Sequence, residues 1–193
     1  MTMTFKFNIF KALILWSVLT SVGHAELIQS QESALKKAYP LADRFESREL
    51  LLTSAERKAI EAKLGKRIYT VQVTVIEAMA KGKFLGRAFK SQELGKHQPM
   101  DSLVALDSAG EVIDVELLVY RETYGGQVRQ ENFRDQFKHR RFGDALEVGK
   151  GIDAVSGATI SSKSMALGVR KALLIDDLIR HSPEFNNSRG KHG

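Results

Sequence analysis

Residues 102–121 read SLVALDSAGEVIDVELLVYR, two runs rich in Val, Ile and Leu on either side of Asp107-Ser108-Ala109-Gly110. Asp, Ser and Gly in that order favour a tight turn. The stretch therefore predicts two antiparallel strands, Ser102 to Leu106 and Glu111 to Arg121, joined as a hairpin. Working outward, Arg67 to Ala78 (RIYTVQVTVIEA) alternates and is rich in β-branched residues, and it predicts another strand. Lys83 to Lys90 predicts a further, less regular one.

Helical signals flank these runs. Gln31 to Tyr39 predicts a short helix that stops at Pro40. Thr53-Ser54-Ala55-Glu56 has the form of a capping box, and Ala55 to Leu64 continues from it until Gly65. Asn132 to Arg140 predicts a short helix. Val148 to Thr159 predicts a glycine-bearing loop and Ser161 to His181 a long helix. Met165, Val169, Ala172, Leu173, Leu178 and Ile179 fall largely along one face of that helix. Strands and helices without strict βαβ alternation predict an α+β fold: a single domain with a largely antiparallel sheet flanked by helices, the long helix following the loop.

The first 25 residues read as an address. Lys6 and Lys11 precede the uncharged run Ala12 to Val22, and Gly23-His24-Ala25 supplies small residues for cleavage after Ala25. That run is shorter than the ~20 residues a bilayer span needs. The expectation is export to the periplasm or beyond, with retention as an amino-terminal anchor the competing expectation. The expected organisation is a signal peptide at 1–25, a helical segment at 26–66, the main domain at 67–182 and a basic tail at 183–193.

The net charge of +6 becomes +4 without Lys6 and Lys11. Charge of that size, spread along the chain, suits weak attraction to acidic partners or anionic lipid surfaces and gives no footprint for nucleic acid. The chain has no cysteine, which excludes disulfides, Cys-ligated iron–sulfur clusters and haem attached through cysteine. His97, His139, His181 and His192 lie far apart without zinc-ligand spacing, so no metal site is expected.

The segment that carries chemistry is Asp153-Ala154-Val155-Ser156-Gly157-Ala158-Thr159-Ile160-Ser161-Ser162. A small-residue loop running into a helix start offers backbone N–H groups and the positive end of the helix dipole, a natural phosphate site. Ser156, Thr159, Ser161 and Ser162 add hydroxyls, and Gly157 and Ala158 leave room for a ligand to approach the backbone. Ordinary capping and turn chemistry explains the same residues without a ligand. On the residues alone, both explanations stand.

Asp-Ala-Val-Ser-Gly-Ala-Thr at 153–159 resembles the D-x-x-[ST]-G-A-[TS] signature of the FMN-binding domain family, which includes the flavin-bearing peripheral subunits of the Rnf and sodium-pumping NADH:quinone reductase complexes. The resemblance implies FMN linked through its phosphate to Thr159 by a flavin transferase that uses FAD. Asp153, Ser156, Gly157 and Ala158 would then frame the phosphate. Glu122-Thr123-Tyr124-Gly125 resembles the family's E-T-P-G loop, with Tyr124 in place of Pro, and Gln136-Phe137 resembles a Q-F pair between the two loops. The resemblance covers roughly Tyr69 to Leu178 and implies contacts from Glu122 and Thr123 to the ring edge or ribityl chain. A phosphothreonyl ester would retain the cofactor without altering its ring, and no neighbour activates Thr159, which agrees with attachment by a separate enzyme.

Tyr124, Phe133 and Phe137 are aromatic candidates for packing on a flat ring, with burial in the core the competing explanation for both Phe. Arg134, Lys138, Arg140 and Arg141 form a basic cluster, either a solvated face, a source of charge to neutralise phosphate, or a docking patch for an acidic electron-transfer partner. Asp176-Asp177 is expected to face solvent, and His139 shows no carboxylate partner in sequence. With no acid–base pair or activated nucleophile in view, the expectation is an electron carrier or reductase component that meets membrane redox proteins as donor or acceptor. Two readings compete with it: an exported module binding a phosphate-bearing or other anionic ligand reversibly, and an assembly factor of a respiratory complex.

Overall fold

The computed structural model describes residues 26–69 and 71–181. The expected signal peptide and basic tail lie outside the described residues. Six strands form one antiparallel sheet: β1 (Glu26–Leu27), β2 (Arg44–Leu51), β3 (Gln72–Ala80), β4 (Lys83–Leu94), β5 (Pro99–Asp107) and β6 (Val112–Tyr120), in the order β1-β6-β5-β4-β3-β2. With helices packed on both faces, the molecule is an α+β domain.

Local chemistry accounts for the element ends. Helix α1 (Gln31–Ala38) starts at Ser30, whose side chain accepts the Ser33 N–H. Helix α2 (Ser54–Leu64) carries the expected capping box between Thr53 and Glu56, and Gly65 ends it in the left-handed conformation. The β5–β6 hairpin closes on Asp107, whose Oδ1 accepts the N–H groups of Ala109 and Glu111.

Several elements differ from expectation, three of them most clearly. β2 pairs with β3 over its whole length, yet RFESRELL has charged residues at four of eight positions. As an edge strand it buries little, so no apolar alternation marks it. β3 begins at Gln72 rather than Arg67; the Glu61 side chain takes the Ile68 N–H and ties Ile68 to α2 instead of to the sheet. The helix expected at 132–140 is instead α3 (Glu131–Arg134) followed by a 3-10 turn at Asp135–Phe137.

Helix α4 (Thr159–His181) lies on one face of the sheet and is buried around most of its circumference. There Val104, Leu106, Val115 and Leu117 meet Met165, Val169, Ala172 and Ile175, with Ile60 and Leu64 of α2 alongside. Phe133 and Phe137 are fully buried in the same cluster, edge to face at 5.5 Å, so both belong to the core. Helix α1 covers the opposite face through Ala34, Leu35 and Tyr39.

Asp176 does not face solvent. It is 2% exposed, accepts from Arg87 Nη1 at 2.9 Å and is also paired with Arg180. Arg87 in turn meets Glu77 at 3.0 Å, and Glu77 meets Arg48 at 2.6 Å. Helical spacing sets Asp176 on the same side as Ala172 and Ile179, where an unpaired carboxylate would be strongly disfavoured.

The basic cluster is mostly engaged in structure. Arg134 is buried, bonded to Glu116 at 2.6 Å and to the Val115 carbonyl at 2.8 Å. Arg141 pairs with Glu111, and Lys138 with Asp135. His139, without a partner in sequence, sits 2.8 Å from Glu111 Oε1. Apart from the local Lys138–Asp135 pair, these join residues brought together by the fold, which adjacency along the chain does not reveal.

Candidate functional site

Two loops meet at the amino-terminal end of α4. The first follows β6: Arg121 to Gly125, ending in a left-handed glycine at φ 92° before a 3-10 turn at Gly126–Arg129. The second is a tight connection from β7 (Glu147–Val148) and β8 (Gly151–Ile152) through Asp153 to Ala158. The Ala158 N–H bonds the Val155 carbonyl and the Ser162 N–H bonds the Ala158 carbonyl, so Thr159 opens the helix two residues earlier than expected.

Named side chains fasten the loops. The Ser162 hydroxyl is fully buried, donates to the Ala158 carbonyl at 2.9 Å and accepts the Val155 N–H at 3.1 Å. Gln136 holds the start of the second loop, its Oε1 accepting the Asp153 N–H at 2.7 Å and its Nε2 donating to the Asp153 carbonyl at 3.3 Å. Tyr120 joins the first loop to the first turn of α4: its hydroxyl donates to the Tyr124 carbonyl at 2.6 Å and lies 2.9 Å from Ser161 Oγ. Burial raises the Tyr120 phenol above its usual range, its bond to Ser161 pulling the other way.

Between these loops and the β4–β5 turn opens a cleft of about 710 Å³. One wall is Glu122, Thr123, Tyr124 and Gly125; the floor is Gly157, Ala158, Thr159, Ile160 and Ser161; the other wall is Lys96, His97 and Gln98, with Arg121. Thr159 is exposed there, and Tyr124, 82% exposed, offers an aromatic face. The first N–H groups of α4 have no carbonyl one turn back within the helix, and the helix dipole is positive at this end.

Glu122 fixes the far wall. Its Oε1 accepts the His97 N–H at 2.8 Å and the Gln98 N–H at 3.1 Å. Partial burial pushes its carboxyl up, but the donated backbone N–H groups outweigh this and hold it below the usual glutamate range. Arg121 is engaged elsewhere, with Asp101 at 2.7 Å and the Pro99 carbonyl at 2.9 Å, which leaves Lys96 and His97 as the exposed basic side chains on the cleft.

Of the residues singled out in sequence, Glu122, Thr123, Tyr124, Gly157, Ala158, Thr159 and Ser161 meet around this cleft. Asp153, Ser156 and Ser162 do not line it; Ser162 is the loop's internal fastener. Sequence reading passed over Lys96, His97 and Tyr120. The first two come from a turn far along the chain, and Tyr120 looks like an ordinary strand aromatic until its hydroxyl is located.

A group the size of a flavin mononucleotide fits on three counts. The cleft volume is within the range of small-molecule sites. Its floor combines a helix start with an exposed hydroxyl, and one wall carries two basic side chains. Thr123 and the exposed Tyr124 also line it, a hydroxyl and an aromatic ring against which a polar chain and a flat ring could rest.

Residues 95–174 match the family model described as FMN-binding domain. Over 82 residues the chain is 38% identical to one of the subunits of the proton-translocating ferredoxin:NAD(+) oxidoreductase complex of Clostridium ljungdahlii, a match covering 38% of this chain and 44% of that protein. The chain thus spans less than half the length of this curated relative. Two solved structures are similar in shape. One belongs to the Na(+)-translocating NADH-quinone reductase of Parabacteroides distasonis, of which it is a single subunit, at 19% identity and TM-score 0.44, covering 75% of this chain and 84% of that one. The other is NqrC of Shewanella oneidensis, at 17% identity and TM-score 0.48, covering 78% and 90%.

Proposed function

We propose, for a chain that carries an FMN-binding domain over residues 95–174, that it is an exported electron-transfer flavoprotein holding FMN covalently through a phosphoester to Thr159. The observation that carries this reading is the position of Thr159: an exposed hydroxyl at the first residue of α4, on the floor of a cleft bordered by Lys96 and His97. Attachment would form a bond from Thr159 Oγ to the flavin-side phosphorus of FAD and break the pyrophosphate link. AMP would leave, and the hydroxyl proton would pass to a base of the flavin transferase.

Bound there, FMN would supply one- and two-electron chemistry that no side chain of this cysteine-free chain offers. The chain's own residues bind and orient. The helix start and Lys96 offset phosphate charge. Tyr120 and Glu122 keep the two walls at fixed separation, and Tyr124 and Thr123 border the space for the ring and polyol.

In this reading residues 1–25 direct export, 67–182 form the flavin-bearing domain, and electrons pass to or from membrane redox proteins. Among the described residues no helix is long and apolar enough to cross a membrane.

The test is co-expression with a flavin transferase followed by intact and peptide mass spectrometry. The expected result is one FMN less one water on the peptide containing Thr159, retained in Thr159→Ser and lost in Thr159→Ala. An unmodified peptide, or an adduct that persists in Thr159→Ala, would refute the covalent assignment.

A further inference from the structure

A second depression of about 680 Å³ lies on the other side of Ile160 from the Thr159 cleft. Ile160, 47% exposed, lines both. The second cleft has a mixed lining in which apolar side chains gather on one part: Leu64 and Leu146 border it from the core, and Leu167 and Ile160 are partly or largely exposed on it. Its rim is cationic. Lys66 and Lys163 are both exposed, and neither has an ion-pair partner among the described residues. Arg170 and Glu147, both also on the cleft, pair with each other at 3.1 Å, which leaves the two lysines as its uncompensated charges. Apolar side chains beside two uncompensated ammonium groups select for one chemistry: a hydrophobic body that also carries negative charge.

We infer that this cleft binds an amphipathic organic anion, a compound of one to a few rings bearing a sulfonate or carboxylate. Its volume suits a single small molecule. Resting on the reading of the first cleft as the flavin site, the shared Ile160 wall places such an anion beside the flavin. The apolar body would lie on Leu146 and Leu167, its acid group between Lys66 and Lys163.

Two fluorescent probes test this, anilinonaphthalene sulfonate and the uncharged N-phenylnaphthylamine, which share an aromatic body and differ in the acid group. Titrated into the full chain carrying Thr159→Ala, the sulfonate should bind saturably at one site, about tenfold tighter than the neutral probe. The double charge reversal Lys66→Glu/Lys163→Glu should weaken the sulfonate about tenfold and leave the neutral probe unchanged. Equal affinity for the two probes, insensitivity to the reversal, or no saturable binding would overturn the site. Because the Thr159→Ala chain carries no flavin at that position, these results are independent of whether FMN is attached. In flavinylated protein the sulfonate should also alter flavin fluorescence, and an unchanged spectrum at saturation would overturn the adjacency of the two clefts.

Discussion

Two glycines at the Thr159 cleft have the same backbone conformation and different surroundings, and replacing each by alanine separates strain from contact. Gly125 has φ +92° and Gly157 φ +76°, both in the left-handed region. An alanine at either position carries a conformational penalty of about 1 kcal/mol or a little more. At Gly157 a Cβ meets nothing within 4 Å, so the penalty ends there. At Gly125 the Cβ would lie 2.5 Å from Tyr120 Oη and 2.8 Å from Ser161 Oγ. The tyrosine must then move, and its bonds to the Tyr124 carbonyl and Ser161 weaken. One or two lost bonds add about 1 kcal/mol each, giving roughly 2–4 kcal/mol for Gly125→Ala against roughly 1–2 for Gly157→Ala. In a domain of this size each kcal/mol lowers Tm by about 2–4 °C, so the Gly125 variant, with about 1–2 kcal/mol of additional loss, should melt about 2–8 °C below the Gly157 variant. Urea unfolding of both chains, with thermal melts in parallel, measures the difference. Equal destabilisation by the two substitutions would refute the claim that Tyr120 joins the first loop rigidly to α4.

Other consequences follow from individual contacts. Glu122→Gln should remove part of the acid sensitivity of stability. The folded carboxyl titrates below its ordinary value, so its contribution is complete above about pH 4, the unfolded value, and fades as pH falls through the lower folded value. The stability gap between wild type and variant should therefore narrow on acidification, and urea midpoints at neutral and acid pH that keep a constant gap would contradict the assignment. Arg87→Met leaves Glu77 and Asp176 buried with Arg48 and Arg180 as remaining partners; a loss of about 3 kcal/mol in urea unfolding is expected, and a neutral effect would show the network to be dispensable. Ser162→Ala should cost about 1–2 kcal/mol in the same assay through the unpaired Val155 N–H, whereas Ser156→Ala, exposed and outside the cleft lining, should change stability by less than about 0.5 kcal/mol.

The residues of the two loops were legible before the fold was known. The run from Asp153 to Thr159 stands out as small residues and hydroxyls in consecutive positions, a local pattern that a phosphate site at a helix start and ordinary capping would both leave. The Gln136-Phe137 pair has a physical explanation only in three dimensions, where the amide holds Asp153 and the ring fills the core. Ser162 and Thr159 look equivalent as hydroxyl side chains at the start of a helix, yet one is sealed inside the loop and the other is open to the cleft.

By itself the sequence determined the α+β class, the β5–β6 hairpin, the capping of α2 and the long final helix, because period, turn residues and caps act over a few neighbouring positions. Tertiary structure alone decided the edge strand β2, whose residues gain from pairing with β3 rather than from burial. It also decided the buried placement of Asp176 and Arg134, and the wall formed by Lys96 and His97. Each depends on charges or hydrogen-bond donors from distant parts of the chain meeting at short range, and electrostatic compensation of that kind has no period along a sequence.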